Sequence, residues 1–219
     1  AIRIQPNESS FWELRGHAWE MSKNPINAEK AFTTAIGKNP DLFSPYLYRG
    51  ITRFEQGKKS GAKSDLEKSH SLLPTPPSSY FLGEIALESG DKQGAIKYFQ
   101  TAAQGSGEIA KNAAARLAVL ELATAPYKYV LSRISLGDDG YMRITVKNNS
   151  PVTVTNVELQ LSEMANAFLV GSSSTLKGPP QLKSGQQATI KTRIGPFNET
   201  AEIAKYRIKV SRVQVPEQS

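Results

Sequence analysis

Three glycines, Gly16, Gly50 and Gly83, open the same pattern of residues, and no other feature restricts the fold of this chain so tightly. Twelve residues beyond each comes an alanine: Ala28, Ala62 and Ala95. Four further on stands a bulky apolar residue, Phe32, Leu66 or Phe99, and three beyond that a small one, Ala35, Ser69 or Ala102. Trp12 and Tyr46 precede the first two glycines by four residues, and Pro40 and Pro74 close those two units. The glycines are 34 and then 33 residues apart. A repeat of this length and pattern predicts a helix–turn–helix solenoid, in which each unit buries its apolar face against the next.

Each recurring residue has a packing reason. Small residues let the two helices of a unit approach closely, and large ones fill the groove between them. These positions are scaffold. The pattern resembles the tetratricopeptide repeat (TPR) family over roughly residues 7–106, with unit one matching at Trp12, Gly16, Trp19, Ala28, Phe32, Ala35 and Pro40. Unit three departs from it, with Ser79 in the aromatic position and Gly107 in place of the closing proline. The resemblance implies an all-α solenoid that binds protein or peptide.

Local signals place the helices at about 9–21, 25–37, 43–56, 60–73, 77–89 and 92–104. Asn24 caps the second, with Pro25 in its first turn, Gly57 and Gly90 act as stops, and Asp91 caps the sixth. An alanine-rich helix at about 108–122 is the candidate cap for the solenoid. Beyond Ala125-Pro126 the apolar period changes from 3.6 to 2. Residues 141–147, 152–161, 187–194 and 206–215 alternate as strands, with turns at 137–140, 148–151 and 183–186. The fold class is therefore α+β in two domains: a TPR solenoid over 1–125, then an antiparallel β-sandwich over 126–219. The second domain resembles the immunoglobulin- or fibronectin-like modules of bacterial surface proteins.

Little in the chain supports catalysis. It has no cysteine, which removes disulfides, thiolate metal sites and a cysteine nucleophile, and which fits an exported or periplasmic bacterial protein. Its two histidines, His17 and His70, are too far apart in sequence for a zinc motif. Gly105-Ser106-Gly107-Glu108-Ile109-Ala110 matches a dinucleotide fingerprint but follows a helix, not a strand, and reads as a turn. Three Asn-x-Ser/Thr sequons begin at Asn7, Asn148 and Asn198. No stretch has the length of a membrane span. We expect no catalytic or metal-binding residue and no cofactor in this chain.

The net charge of +7 is uneven, with 15 basic and 13 acidic residues up to Ala125 and 12 basic and 7 acidic beyond it. Arg143, Lys147, Lys191, Arg193, Arg207 and Lys209 alternate with apolar residues, so a shared sheet would give them one basic face. That face suits an anionic surface, such as peripheral association with the envelope. It lacks the interleaved aromatics that nucleic acid would require.

In TPR proteins the ligand groove is lined by set positions of the first helix of each unit. The resemblance places Ser10, Glu13, His17, Glu20 and Met21 there, then Ser44, Leu47, Ile51, Phe54 and Glu55, then Pro77, Tyr80, Glu84, Leu87 and Glu88. No Lys or Arg occupies these positions, so the carboxylate clamp of chaperone co-factors is not expected. Glu13, His17, Glu20, Leu47, Ile51, Phe54, Tyr80, Glu84 and Leu87 form the expected peptide-binding groove, suited to an apolar or basic segment. The run from Asp65 to Ser69 and on through Leu72-Leu73-Pro74 is similar to the tails of bacterial periplasmic zinc metalloproteases with an H-E-x-x-H domain. In that family the repeats position substrates or dock the protease onto outer-membrane assembly machinery. Pro6 lies 34 residues before Pro40, so residues 1–4 read as the end of a helix and the chain as the C-terminal part of a longer protein, prone to self-association. The leading expectation is a non-catalytic protein-interaction module of the bacterial envelope. The alternatives are the regulatory tail of such a protease, with zinc in the parent protein, and an anionic-surface adaptor.

Overall fold

A computed structural model describes residues 8–165 and 170–216, and the helical tail expected at residues 1–4 lies outside them. The chain divides into two compact units inside its seventh helix, between Ala114 and Ala115.

The first unit is built from α1 (Ser9–Met21), α2 (Pro25–Lys38), α3 (Phe43–Glu55), α4 (Lys59–Leu72), α5 (Pro76–Glu88) and α6 (Lys92–Ala103), followed by the start of α7 (Gly107–Leu122). Each helix pair α1/α2, α3/α4 and α5/α6 is joined by a three-residue turn whose middle residue is left-handed: Lys23 (φ 53°), Gly57 (φ 73°) and Gly90 (φ 83°). The same backbone closure recurs in all three. The N–H groups of Asn24, Lys58 and Asp91 each reach back to the carbonyls of Trp19, Arg53 and Ala86 at 2.9 Å. Such closures satisfy carbonyls that a helix end leaves bare. Asn24 then caps α2 by accepting from the Asn27 N–H, and Asp91 caps α6 through the Gly94 N–H. Thr75 and Ser78 cap α5 reciprocally.

The repeated glycines meet the repeated large residues. A Cβ on Gly83 would stand 2.7 Å from the Phe99 ring, and one on Gly50 would stand 2.8 Å from Leu66 Cγ. Gly16 abuts Phe32 in the same way. Phe32, Leu66, Phe99, Ala28, Ala62 and Ala95 are all fully buried, so the sixteen-residue spacing is a physical contact.

A charge network, unforeseen from sequence, ties α2, α3 and α4 together. Arg49 grips the buried Asp65 with two hydrogen bonds of 2.8 and 2.6 Å. Arg53 bridges Asp65 and Glu29, at 2.8 Å each, and Lys58 adds a bond of 2.7 Å to Glu29. Burial raises the Glu29 carboxyl, but the hydrogen bonds from Lys58 and Arg53 outweigh it and hold the group below its ordinary range.

Among the described residues the second unit holds two antiparallel sheets. One has the order β1 (Val130–Leu136), β2 (Met142–Asn148), β6 (Gln187–Lys191). The other centres on β3 (Val154–Met164), with β7 (Tyr206–Gln214) along one edge and β4 (Val170–Lys177) and the short β5 (Gln181–Leu182) along the other. Met142, Ile144 and Val146 of β2 share one core with Leu159 and Leu161 of β3 and Val210 and Val213 of β7. Ala118 and Leu122 of α7 belong to that core as well. The division between units thus falls inside α7, not after it.

Two of the three sequons have structural settings of their own. Asn148, the second sequon, is fully buried: its amide donates to the carbonyls of Val152 and Leu182, and its oxygen accepts from the Ser150 N–H and hydroxyl. The third sequon leads into a four-residue helix, α8 (Thr200–Ile203), where Glu199 and Glu202 form a capping box.

Candidate functional site

The expected groove residues have different surroundings. His17 is half-buried between aromatic rings, 4.2 Å from the Tyr48 centroid and 5.3 Å from that of Phe32. Its Nδ1 lies 3.0 Å from the Glu20 carboxylate and its Nε2 3.9 Å from Glu13. Thr52, on α3, donates to the same Glu20 at 2.9 Å. Glu20 therefore links α1 to the next unit, and Glu13 and His17 support it.

The apolar part of the expected groove is largely packing. Leu47 is 4% exposed and sits in a core with Ala62, Leu66, Leu82 and Ile85, so it is not a groove residue. The reason is geometric: the Leu47 side chain is enclosed between the two helices of its own unit and α5 of the next. Phe54 is half-buried, edge-on to Phe81 at 5.3 Å. Tyr80 packs on Phe81 and on Phe99. Glu84 and Leu87, on the same helix as Tyr80, are half-buried.

What α1 and α3 do leave open is a cleft of about 620 Å³, lined by Glu20, Lys23, Tyr48, Ile51, Thr52 and Glu55 among others. That volume falls in the range of ligand sites. Ile51 and Tyr48 supply its apolar surface, and Glu55 stands exposed at its edge. Two of the expected groove residues, Glu20 and Ile51, meet here, with Glu55 from the wider set of first-helix positions. Lys23, Tyr48 and Thr52 were missed. Lys23 belongs to the turn, and its left-handed backbone, not a helical periodicity, turns it toward the cleft. Tyr48 and Thr52 are adjacent to the expected positions Leu47 and Ile51 and were given no role from sequence.

His70 has a structural setting: its Nδ1 lies 3.1 Å from the Ser78 hydroxyl, which is itself fully buried and engaged with Thr75. Among the described residues no group of three or more His, Cys, Asp or Glu side chains is placed to hold a metal ion. No helix among them is long and apolar enough to cross a membrane.

The six residues expected on one basic face are divided between two sheets. Arg143 and Lys147 lie on β2, with Lys191 opposite Arg143 on β6 and Arg193 just beyond it. Arg207 and Lys209 lie on β7, opposite Ser162 and Gln160 of β3. The six therefore do not share one sheet. The sequence alternation was right for each strand, but alternation carries no information on which strands pair. Arg143 is moreover engaged by Asp139, whose carboxyl its hydrogen bond holds below the ordinary range.

No family model matches the chain, and no curated protein matches it in sequence. Among solved structures it is similar to the APC/C hetero-tetramer Cut9–Hcn1, at 25% identity and a TM-score of 0.50, covering 58% of this chain and 26% of that one. It is also similar to YrrB, described as a TPR protein with an unusual peptide-binding site, at 14% identity and a TM-score of 0.52, covering 58% of this chain and 66% of that one. The chain thus spans about a quarter of the first and just under two thirds of the second. The likeness is one of fold: the helical repeats have the TPR architecture, and antiparallel sheets follow them.

Proposed function

We propose that the helical unit is a non-catalytic module that holds an extended polypeptide segment in the cleft between α1 and α3. The observation that carries this reading is the cleft itself, in which an apolar floor from Ile51 and Tyr48 lies beside the carboxylates of Glu20 and Glu55. Such a surface accepts a segment with one apolar side chain next to a lysine or arginine, the apolar group supplying most of the free energy and the charge setting orientation. YrrB, similar in fold, is itself described by a peptide-binding site, which supports the class of function.

The wider setting is part of the same proposal. The chain is the interaction part of a longer exported bacterial protein, in the periplasm or at the envelope, and its second unit is a β-sandwich of the immunoglobulin or fibronectin kind. The two sheets sharing a core favour the sandwich. The alternative of a metalloprotease tail rests on a sequence resemblance over about 110 residues that includes the run at 65–74.

Substitution of Ile51 and Glu55 tests the cleft better than substitution of Phe54 or Tyr80, whose rings hold neighbouring helices in place. Ile51→Ala combined with Glu55→Ala is expected to weaken capture of a basic-apolar peptide at least tenfold, with the helical circular dichroism unchanged. Equal capture by the double variant would exclude the cleft.

A further inference from the structure

Every sheet in the second unit ends in edge strands, and these differ in how they are protected. Among the described residues β1, β6 and β7 each pair on one side only, and so does β4. An edge presents a row of unpaired N–H and C=O groups, which proteins blunt with charge, proline or shortness. β1 carries Arg133 at its middle, β7 carries Arg207, Lys209 and Arg212, and β6 is five residues long and ends in Lys191. β4 is the least protected, with a register irregularity opposite its first residues and no proline or charge along its middle. Its sequence is Val-Gly-Ser-Ser-Ser-Thr-Leu-Lys, with one charge, Lys177, at its end, and all but Leu176 exposed.

The backbone phase of β4 follows from its neighbour. The Gly178 N–H donates to the Val157 carbonyl at 2.7 Å, and antiparallel pairs alternate between bonded and unbonded. The bonded pairs are then Leu159–Leu176, Leu161–Ser174 and Glu163–Ser172. Ser173, Thr175 and Lys177 accordingly turn their backbone N–H and C=O groups away from β3. Among the described residues nothing accepts or donates there.

We propose that this edge pairs with β4 of a second copy of the chain, antiparallel about a two-fold axis through Ser174. The charge pattern selects this occupant. In that register Ser173 bonds to the partner copy's Thr175 and Lys177 lies opposite a glycine. The two lysines stand about 20 Å apart at the strand rise of about 3.4 Å, well beyond the screening length of about 8 Å. The same symmetric pairing of β1 would set two Arg133 side chains against each other. Serine and threonine opposite one another on the paired strands also form cross-strand hydrogen bonds. Seven residues a side is far below the roughly 20–30 of a standard interface, so the dimer is weak and forms only at high concentration.

Sedimentation equilibrium of the full chain, from low micromolar to hundreds of micromolar, reads this directly. The mass should rise from one chain toward two. Thr175→Pro removes an outward N–H that β3 does not use, and proline is tolerated at such edge positions. It should weaken the dimer at least tenfold while leaving the melting temperature unchanged. Thr175→Lys, which keeps the N–H but brings like charges within two residues across the axis, should do the same and serves if the proline variant folds poorly. A chain that stays monomeric throughout, or a dimer that neither substitution weakens, overturns the proposal.

Discussion

The two units hold their shape by different kinds of contact. In the helical unit the decisive pairs are sixteen residues apart, a glycine against a large side chain, repeated three times. In the sheet unit hairpin pairs are joined by partners much further along the chain, as in the Thr155 hydroxyl that reaches the Gln214 carbonyl 59 residues on. The first kind of order is local and periodic, so it can be tested one repeat at a time. The second depends on register, and on a few buried polar groups that hold the loops between strands.

The largest test falls on the periodic contacts. Phe99→Ala empties a fully buried site and should cost about 3–5 kcal/mol, read as a lower denaturation midpoint of the helical unit. An equal loss in the sheet signal would show that the units do not unfold separately. In the sheet unit the counterpart is Asn148→Ala, which strips partners from the Val152 and Leu182 carbonyls and from the Ser150 N–H. Its expected cost is about 2–3 kcal/mol, and a near-neutral result would mean that the loop re-forms its bonds with water. Gly50→Ala, which drives a Cβ into Leu66, should cost about 1–3 kcal/mol, and the double variant with Leu66→Ala should lose less than the sum of the single losses.

Titration separates the units by sign. Glu29 in the helical unit has a depressed pKa, so its contribution is present above the unfolded carboxylate value and is lost as pH falls through the folded one. Glu121 behaves likewise in the sheet unit: burial raises it, and the hydrogen bonds from Tyr129 and Lys128 more than reverse that. Tyr129 adds an alkaline limb. Burial and the bond to Glu121 push its phenol up, so its contribution is full below the unfolded value of about 10 and is lost as pH rises toward the folded one. Thermal melts across pH should therefore show acid loss in both units. Tyr129→Phe should remove part of the alkaline loss, and only in the sheet unit. The smallest expected effect has the opposite direction. Lys23 is a non-glycine residue in a left-handed turn, and Lys23→Gly should stabilise the helical unit by about 1 kcal/mol, seen as a higher melting temperature.

The helices were legible because their order is local. Caps at Asn24 and Asp91, stops at Gly57 and Gly90 and the glycine–ring pairs are all written within a few turns of chain. The strands at 142–148, 154–164, 187–191 and 206–214 were legible from alternation; β1 was not read, and neither was β4, because a run of serines on both faces gives no period. Strand pairing was not legible at all, which is why the basic residues were assigned to one face when β7 pairs with β3 and the others lie on β2 and β6 or just past it. Leu47 was misplaced for a related reason: its helical position is compatible with both groove and interior, and only the approach of α5 decides. Asp65 gave a signal that could have been used, a charged residue beside Leu66 on the buried face of α4, which demands a cationic partner.

The left-handed Lys23 bears on how such a chain can change over time. Its two sister turns hold glycine at the same place, so a more stable alternative is available within the chain's own pattern. Selection for stability alone would fix glycine at all three turns. The lysine there instead gives the cleft a cation along with its two glutamates, at a cost in stability carried by the first repeat. Relatives with glycine at this turn should be sturdier and should hold different peptides, and relatives with lysine should share a preference in their ligands.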